Sequence, residues 1–308
     1  MNPQTKIEKN KLSVIVTSFK EPNTIANCIS QLIKSLSKLT QPSEILFVCP
    51  DKETSAIAIA TAKRLNYIKF FHIQDPQKGK PYALNIAFKK ATGELLILTD
   101  GDVYIDENAI PEIINAFITE DIGAITGRPV CINNKNSFLG YSGHMFMDAA
   151  HQKRSSIKND FYILSGYLFA MRPFDIEIPL SMLDDVYISY KINELGYKIG
   201  YCPNAKVFVK QPETIKGWIK QKTRSIAGTF NIKTVFPNSQ NLRNMTSDIE
   251  FAFFPILYAK NLKQFFWSLL NYPLRFYIWI NAFWKNKVQN KKATDLWYDK
   301  KYKEEVNK

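Results

Sequence analysis

The sequence predicts an α/β protein: a mostly parallel sheet flanked by helices. Three observations lead there. Short β-branched apolar segments alternate with helix-periodic ones through the first hundred residues. Those strand segments are continuously apolar rather than alternating, as in strands buried on both faces. Finally, 45% of the 308 residues are hydrophobic, which supports a large core and excludes disorder for the bulk of the chain.

Leu12 to Phe19 is the first strand, a run of apolar residues bounded by polar ones. Asn23 to Leu36 carries Ile25, Cys28, Ile29, Leu32, Ile33 and Leu36 at helical spacing, with Asn23 as N-cap. Glu44 to Cys49 is a strand, Ala56 to Leu65 a helix, Tyr67 to Ile73 a strand, Ala83 to Ala91 a helix and Glu94 to Thr99 a fourth, buried strand. In such a βαβ repeat, ligands bind beyond the carboxyl ends of the strands. Further on, helices are expected over Asn108 to Ile118, Ser137 to His151, Ser181 to Leu195 and Thr214 to Phe230. Extended segments are expected over Ile122 to Val130, Phe161 to Met171 and Tyr197 to Val209.

Composition divides the chain into residues 1–235, which carry the strand–helix pattern, and 236–308, which are basic and aromatic. The formal net charge is +13, and residues 201–308 hold 19 basic against 7 acidic residues of it. This asymmetry points to a polyanionic partner: nucleic acid, an anionic membrane or a phosphate-bearing substrate. A solvated lysine tail from Lys285 onward is the plainer alternative. From Glu250 to Trp284, aromatic residues interleave with Lys260, Lys263 and Arg275. No uncharged apolar run there reaches the roughly 18–20 residues of a spanning helix, so interfacial amphipathic helices are expected, or helices packed on the first domain. Cys28, Cys49, Cys131 and Cys202 form no CxxC pair and the three histidines no HExxH, which argues against a disulfide scaffold and a zinc site. Met1 to Lys11 is polar, and no secretory signal is expected.

Four features carry chemistry. Asp100-Gly101-Asp102 follows the fourth strand, so two carboxylates would project into the ligand crevice. Their oxygens are hard ligands suited to Mg²⁺ or Mn²⁺ bound together with substrate phosphates. Taken alone, the same residues also suit a turn and a helix cap. Lys78-Gly79-Lys80 precedes a helix start, where cations and backbone N–H groups suit an anion, yet neither a Walker A loop nor GxGxxG is present. Asp184-Asp185 opens a helix, where acidic residues are favoured by the dipole. A crowded like-charge pair would also raise one pKa toward that of a general base. Gln221 and Arg224, one turn apart on a helix, could clamp a diphosphate.

In this order the features resemble the inverting nucleotide-sugar transferases of glycosyltransferase family 2, with the GT-A fold. The resemblance runs from about Leu12 to Phe230. Val14 to Glu21 is similar to the family's first strand and opening motif, with Ser18 inside it and Glu21 closing it. Asp51 is similar to the nucleobase-contacting aspartate, although Cys49-Pro50-Asp51-Lys52 stands where the family has Asp-Asp-Gly-Ser. Lys78 to Asn85 resembles its glycine-lysine-x-x-alanine-leucine-asparagine stretch. Asp100 and Asp102 fall on its DxD motif.

The resemblance implies a metal site at Asp102 and Asp100, with Asp100 also near the ribose. It implies substrate contacts by Ser18, Glu21, Asp51, Lys80, Asn85, Gly166, Gln221 and Arg224. Asp184-Asp185 falls on the acidic pair, with Asp185 as base. Gln221 and Arg224 match QxxRW, except that Ser225 replaces tryptophan. The resemblance implies a nucleotide-diphosphate sugar donor and a glycan acceptor, without nucleic acid; the basic, aromatic C-terminal third suits a cytoplasmic enzyme held peripherally on the cytosolic face of the membrane, with a lipid-linked or cell-envelope acceptor. A processive polysaccharide synthase is the related alternative. A DxD phosphatase would leave Lys78 to Asn85 unexplained. A nucleic-acid-binding protein would leave the DxD crevice without a role.

Overall fold

The computed structural model describes residues 11–156, 162–230, 232–237 and 252–288. The polar N-terminal stretch before residue 11 and the lysine tail beyond residue 288 lie outside the described residues. The first half follows the expected repeat: β1 (Leu12–Thr17), α1 (Ile25–Leu36), β2 (Ser43–Val48), α2 (Lys52–Arg64), β3 (Phe70–Ile73), α3 (Lys80–Lys90) and β4 (Leu95–Asp100). The second half comprises β5 (Val103–Ile105), α4 (Ala109–Asn115), β6 (Ile122–Cys131), α5 (Phe138–Ser156), β7 (Leu168–Met171), α6 (Asp184–Glu194), β8 (Lys198–Val209), α7 (Ile215–Phe230) and α8 (Ile232–Val235). Two further helices, α9 (Phe254–Tyr258) and α10 (Leu262–Phe283), follow among the described residues.

All eight strands form one sheet in the order β3-β2-β1-β4-β7-β6-β8-β5. β1 pairs in parallel with β2 and β4, and β2 with β3. Thr17 stands opposite Asp100, so β1 and β4 end level and their following loops meet at one sheet edge. Beyond β4 the sheet becomes mixed. β7 runs antiparallel to both neighbours, β5 runs antiparallel to β8, and β6 and β8 are parallel.

The continuous apolar runs divide by parity, because successive side chains leave a strand on opposite faces. Val14, Val16, Phe47 and Ile97 pack with α1, α2 and α4 on one face. Ile15, Leu46, Leu96 and Leu98 pack with α3 and α6 on the other. A separate cluster of Leu139, Trp218, Ile226, Ile278 and Ala282 docks α10 on α5 and α7.

Several helix starts differ from the periodicity. Asn23 does not cap α1: Thr24 stands at the N-cap, and its hydroxyl donates to the Gly101 carbonyl at 3.2 Å. α2 begins four residues before Ala56, because the Asp51 carboxylate accepts the Thr54 N–H at 2.9 Å. α3 begins at Lys80, where Gly79 at φ 100° takes the N-cap position and Pro81 suits the first turn.

The end of the sheet away from the chemistry is held by Glu44. Its Oε1 accepts from Ser13 Oγ at 2.6 Å, Thr92 Oγ1 at 2.7 Å and Thr92 N at 3.0 Å, while Lys11 Nζ lies 3.5 Å from Oε2. Burial pushes the carboxyl up, but these bonds and Lys11 hold its pKa below the ordinary carboxylate value. A depressed folded pKa gives stability that is present above the unfolded pKa and lost as pH falls through the folded one. Glu44→Ala is therefore expected to cost about 2–3 kcal/mol in urea unfolding at neutral pH, a difference that shrinks in acid. An unchanged urea midpoint at neutral pH would contradict this role.

Candidate active site

The site forms where β1 and β4 end. Gly101 N donates to the Thr17 carbonyl at 3.0 Å, drawing the two loops together. A Cβ on Gly101 would stand 2.5 Å from Ser18 Oγ and 2.9 Å from Glu21 Oε2, so only glycine permits this approach. Beneath it, buried Ser18 donates to Glu21 Oε2 at 2.5 Å. The Asp51 carboxylate holds the adjoining turn, accepting the Lys20 N–H at 2.7 Å as well as that of Thr54. Burial alone would raise the Asp51 carboxyl, but these N–H groups bring it below its ordinary value.

Asp100 closes β4, and Thr17 Oγ1 donates to its Oδ1 at 3.2 Å. Lys80 Nζ lies 2.7 Å from the same oxygen and 3.0 Å from Asp184 Oδ2. One ammonium thus joins the strand-end aspartate to the first turn of α6. Burial works against the charge on Lys80, but the two carboxylates outweigh it and raise its pKa above the ordinary lysine value. Buried Cys28 reports the local field: its Sγ donates to the Asp100 carbonyl at 3.4 Å. Burial first, then the Asp102, Glu21 and Asp100 carboxylates, push its thiol far up. Asp100, Asp102 and Glu21 thus all act on Cys28, and Lys80 is the cation paired with Asp100.

The two acidic residues opening α6 diverge. Asp184 turns to Lys80. Asp185 lies beside Gly166, where an added Cβ would stand 3.4 Å from its Oδ2. Asp184 is thus paired with Lys80.

Sequence reading missed two groups here. Arg154 on α5 has its guanidinium 5.9 Å from the Tyr201 ring, and Asp185 is among the charges acting on it. Lys222 on α7 donates to Gln211 Oε1 at 2.9 Å, and Gln211 Nε2 donates to Tyr167 Oη at 3.3 Å. The Tyr167 carbonyl accepts from Thr99 Oγ1 at 2.8 Å, one residue before Asp100. These bonds tie α7 to the end of β4. They join residues far apart in sequence, with no spacing that marks them.

Gln221 and Arg224 flank Lys222 on α7, whose tie to β4 runs through Lys222 itself. Asn85 is engaged elsewhere: its Nδ2 donates to the Ile178 carbonyl at 2.9 Å and its Oδ1 accepts the Ile178 N–H at 2.8 Å. This anchors the segment ahead of α6 to α3.

A divalent cation can be tested against this donor set. Among the described residues no cluster of three His, Cys, Asp or Glu side chains gathers to enclose a metal. Asp100 and Asp102 still offer hard oxygens on either side of Gly101. They fit an open site for Mg²⁺ or Mn²⁺ that substrate phosphates complete, and not a closed protein cage.

A family profile described as "Glycosyltransferase like family 2" matches residues 10–228, more than half of the chain. The chain belongs to this glycosyltransferase family. This family 2 protein is 27% identical over 232 residues to the poly-beta-1,6-N-acetyl-D-glucosamine synthase of Staphylococcus epidermidis, covering 72% of this chain and 55% of that protein. The synthase of the same name from Staphylococcus aureus strain MSSA476 is 25% identical over 236 residues, covering 73% and 56%. The chain therefore spans about half the length of these relatives.

Among solved structures, mannosyltransferase PcManGT from Pyrobaculum calidifontis, in complex with GDP-Man and Mn²⁺, aligns with a TM-score of 0.64 at 16% identity, over 92% of this chain and 89% of that one. S. aureus TarS 1-349 aligns with a TM-score of 0.50 at 15% identity, over 91% and 82%. The family 2 chain thus has the GT-A architecture of these proteins: a large sheet flanked by helices, with helices following it at the C-terminal end.

Proposed function

We propose that this family 2 glycosyltransferase moves a sugar, with inversion, from a nucleotide-diphosphate sugar to a hydroxyl of a lipid-linked or cell-envelope glycan at the cytosolic face of the membrane. The observation that carries the reading is the Lys80 ion triad, which gathers Asp100 of the DxD and Asp184 of the acidic pair at 2.7 and 3.0 Å. Three motifs remote in sequence meet at one strand end, where α/β sheets bind ligands.

In the proposed displacement, Asp185 accepts the proton of the acceptor hydroxyl as its oxygen bonds to the anomeric carbon. The bond from that carbon to the diphosphate oxygen breaks in the same step, and the leaving group carries the electron pair away. Lys80 keeps Asp100 and Asp184 in register and places positive charge beside the diphosphate. Gln221 and Arg224 approach the diphosphate from α7, and Ser18, Glu21 and Asp51 shape the nucleotide side. Asp102 with Asp100 would hold Mg²⁺ or Mn²⁺, which when bound neutralises charge on the leaving diphosphate. Positioning and electrostatics then supply most of the barrier reduction.

The decisive experiment is a screen of nucleotide sugars for donor hydrolysis and thermal stabilisation with Mn²⁺, followed by calorimetric titration of the best nucleotide. Asp102→Ala is expected to weaken metal-dependent binding at least about tenfold, as loss of one charge-assisted contact does. Unchanged affinity removes the metal role from Asp102, and a screen without any responding nucleotide sugar overturns the reading. The two staphylococcal relatives are named as polymer synthases, which favours processive transfer as a second reading. Product length after a single priming event separates the two.

A further inference from the structure

α10 is inside out. Its buried positions are Ser268, Asn271, Ile278 and Ala282, half of them polar. Ser268 Oγ meets the Tyr141 hydroxyl at 2.7 Å, and Asn271 Nδ2 donates to the Trp267 carbonyl at 2.9 Å. The outward face is mostly apolar: Leu262, Phe266, Leu270, Tyr277 and Ile280 recur at helical spacing, Trp284 follows just past the helix end, and all are exposed. Phe266 is 61% and Leu270 55% exposed, where a helix serving only its own domain would carry charge. Leu257 of α9, 81% exposed, and Phe253 just before it add to the exposed apolar surface of this region. The stripe runs the length of a 22-residue helix, about 33 Å at 1.5 Å per residue. It is a contiguous patch rather than scattered exposure.

The charge around the stripe indicates what covers it. Residues 252–288 contain five basic residues and no acidic one. A two-fold contact between copies would bring two such segments together, like charge against like. An anionic lipid surface meets the same cations with opposite charge and offers an apolar interior to the aromatic stripe. No helix among the described residues is long and apolar enough to cross a membrane, so this contact lies in the interface plane.

We infer that the outward face of α10, continued by α9, docks this protein on an anionic lipid bilayer, holding the α5–α7 side of the fold against the surface. The inference deepens the membrane-borne acceptor of the proposed function and rests on it for its purpose.

The test is vesicle flotation of the full 308-residue chain, with neither nucleotide nor acceptor present, on equimolar phosphatidylglycerol and phosphatidylcholine and on phosphatidylcholine alone. The wild type is expected to float with the anionic vesicles and at least about tenfold less with the neutral ones. Phe266→Glu combined with Ile280→Glu is expected to lower anionic-vesicle binding at least about tenfold. Both residues are already exposed, so the thermal midpoint and circular dichroism should stay unchanged. Wild-type protein that remains with the unbound fraction overturns the inference, as does a double variant that floats undiminished. A concentration-dependent dimer abolished by the same substitutions, without vesicle binding, assigns the face to a second copy and also overturns it. Nucleotide titration is scored separately, so failure of docking is distinguishable from failure of the transferase reading.

Discussion

Asp185→Asn is expected to keep donor-nucleotide binding and to lose about 10²–10⁴-fold in sugar transfer, the usual contribution of a general base. Asparagine preserves the shape against Gly166 and can still accept the Val186 N–H, which reaches Asp185 Oδ1 at 2.9 Å. The Ser189 hydroxyl bonds to the backbone carbonyl of residue 185 and does not depend on the side chain. The start of α6 should therefore remain in place, and Lys80 keeps its partner in Asp184. What asparagine cannot do is take the acceptor's proton. The loss should fall on kcat, with calorimetric affinity for the nucleotide close to that of the wild type. Transfer at the wild-type rate would move the base to another residue. Asp184→Asn should behave differently: removing that charge leaves Lys80 with Asp100 alone, so donor binding and stability both change.

The contrast between these two neighbours marks where sequence reading stops. Continuous apolar runs made β1, β2 and β4 legible, because burial on both faces leaves no other pattern. The four apolar residues of β7 carry no direction, so its antiparallel pairing with β4 and β6 was not legible. β5 has three residues, too few for any period. Residue types at the site were legible for the same reason that the first strands were: Asp100, Lys80 and Asp184 sit at element ends that the hydrophobic pattern locates. Their pairing was not. Adjacent residues in a first helical turn point about 100° apart, from 3.6 residues per turn. Which of Asp184 and Asp185 meets Lys80 depends on how α6 is set on the sheet. That setting comes from remote contacts such as the paired hydrogen bonds of Asn85 with Ile178. The same holds for the Lys222–Gln211–Tyr167 relay, whose members lie on α7, just after β8 and just before β7.

Lys80→Met is expected to lower kcat/KM about 10²–10³-fold, the range seen when one preorganised charge or donor is removed from a reaction centre. Methionine keeps length and apolar contact but leaves Asp100 and Asp184 without the ammonium that bridges them at 2.7 and 3.0 Å. Breaking a fully buried pair costs about 3–5 kcal/mol. These side chains remain partly solvated, at 17%, 25% and 12% exposure, so a loss of about 1–3 kcal/mol in urea unfolding is the expected scale. A variant that keeps the charge separates a charge role from a packing role. The raised pKa of Lys80 means that its contribution is complete below the unfolded lysine value and lost only as pH rises through the still higher folded one. The wild type should thus show no Lys80 limb across about pH 6–9. In Lys80→Met the two carboxylates lose the cation that joins them. Lys80→Arg, which keeps the charge between Asp100 and Asp184, should retain more activity than Lys80→Met. Wild-type kcat/KM in Lys80→Met would show that the triad holds the fold together without taking part in the reaction.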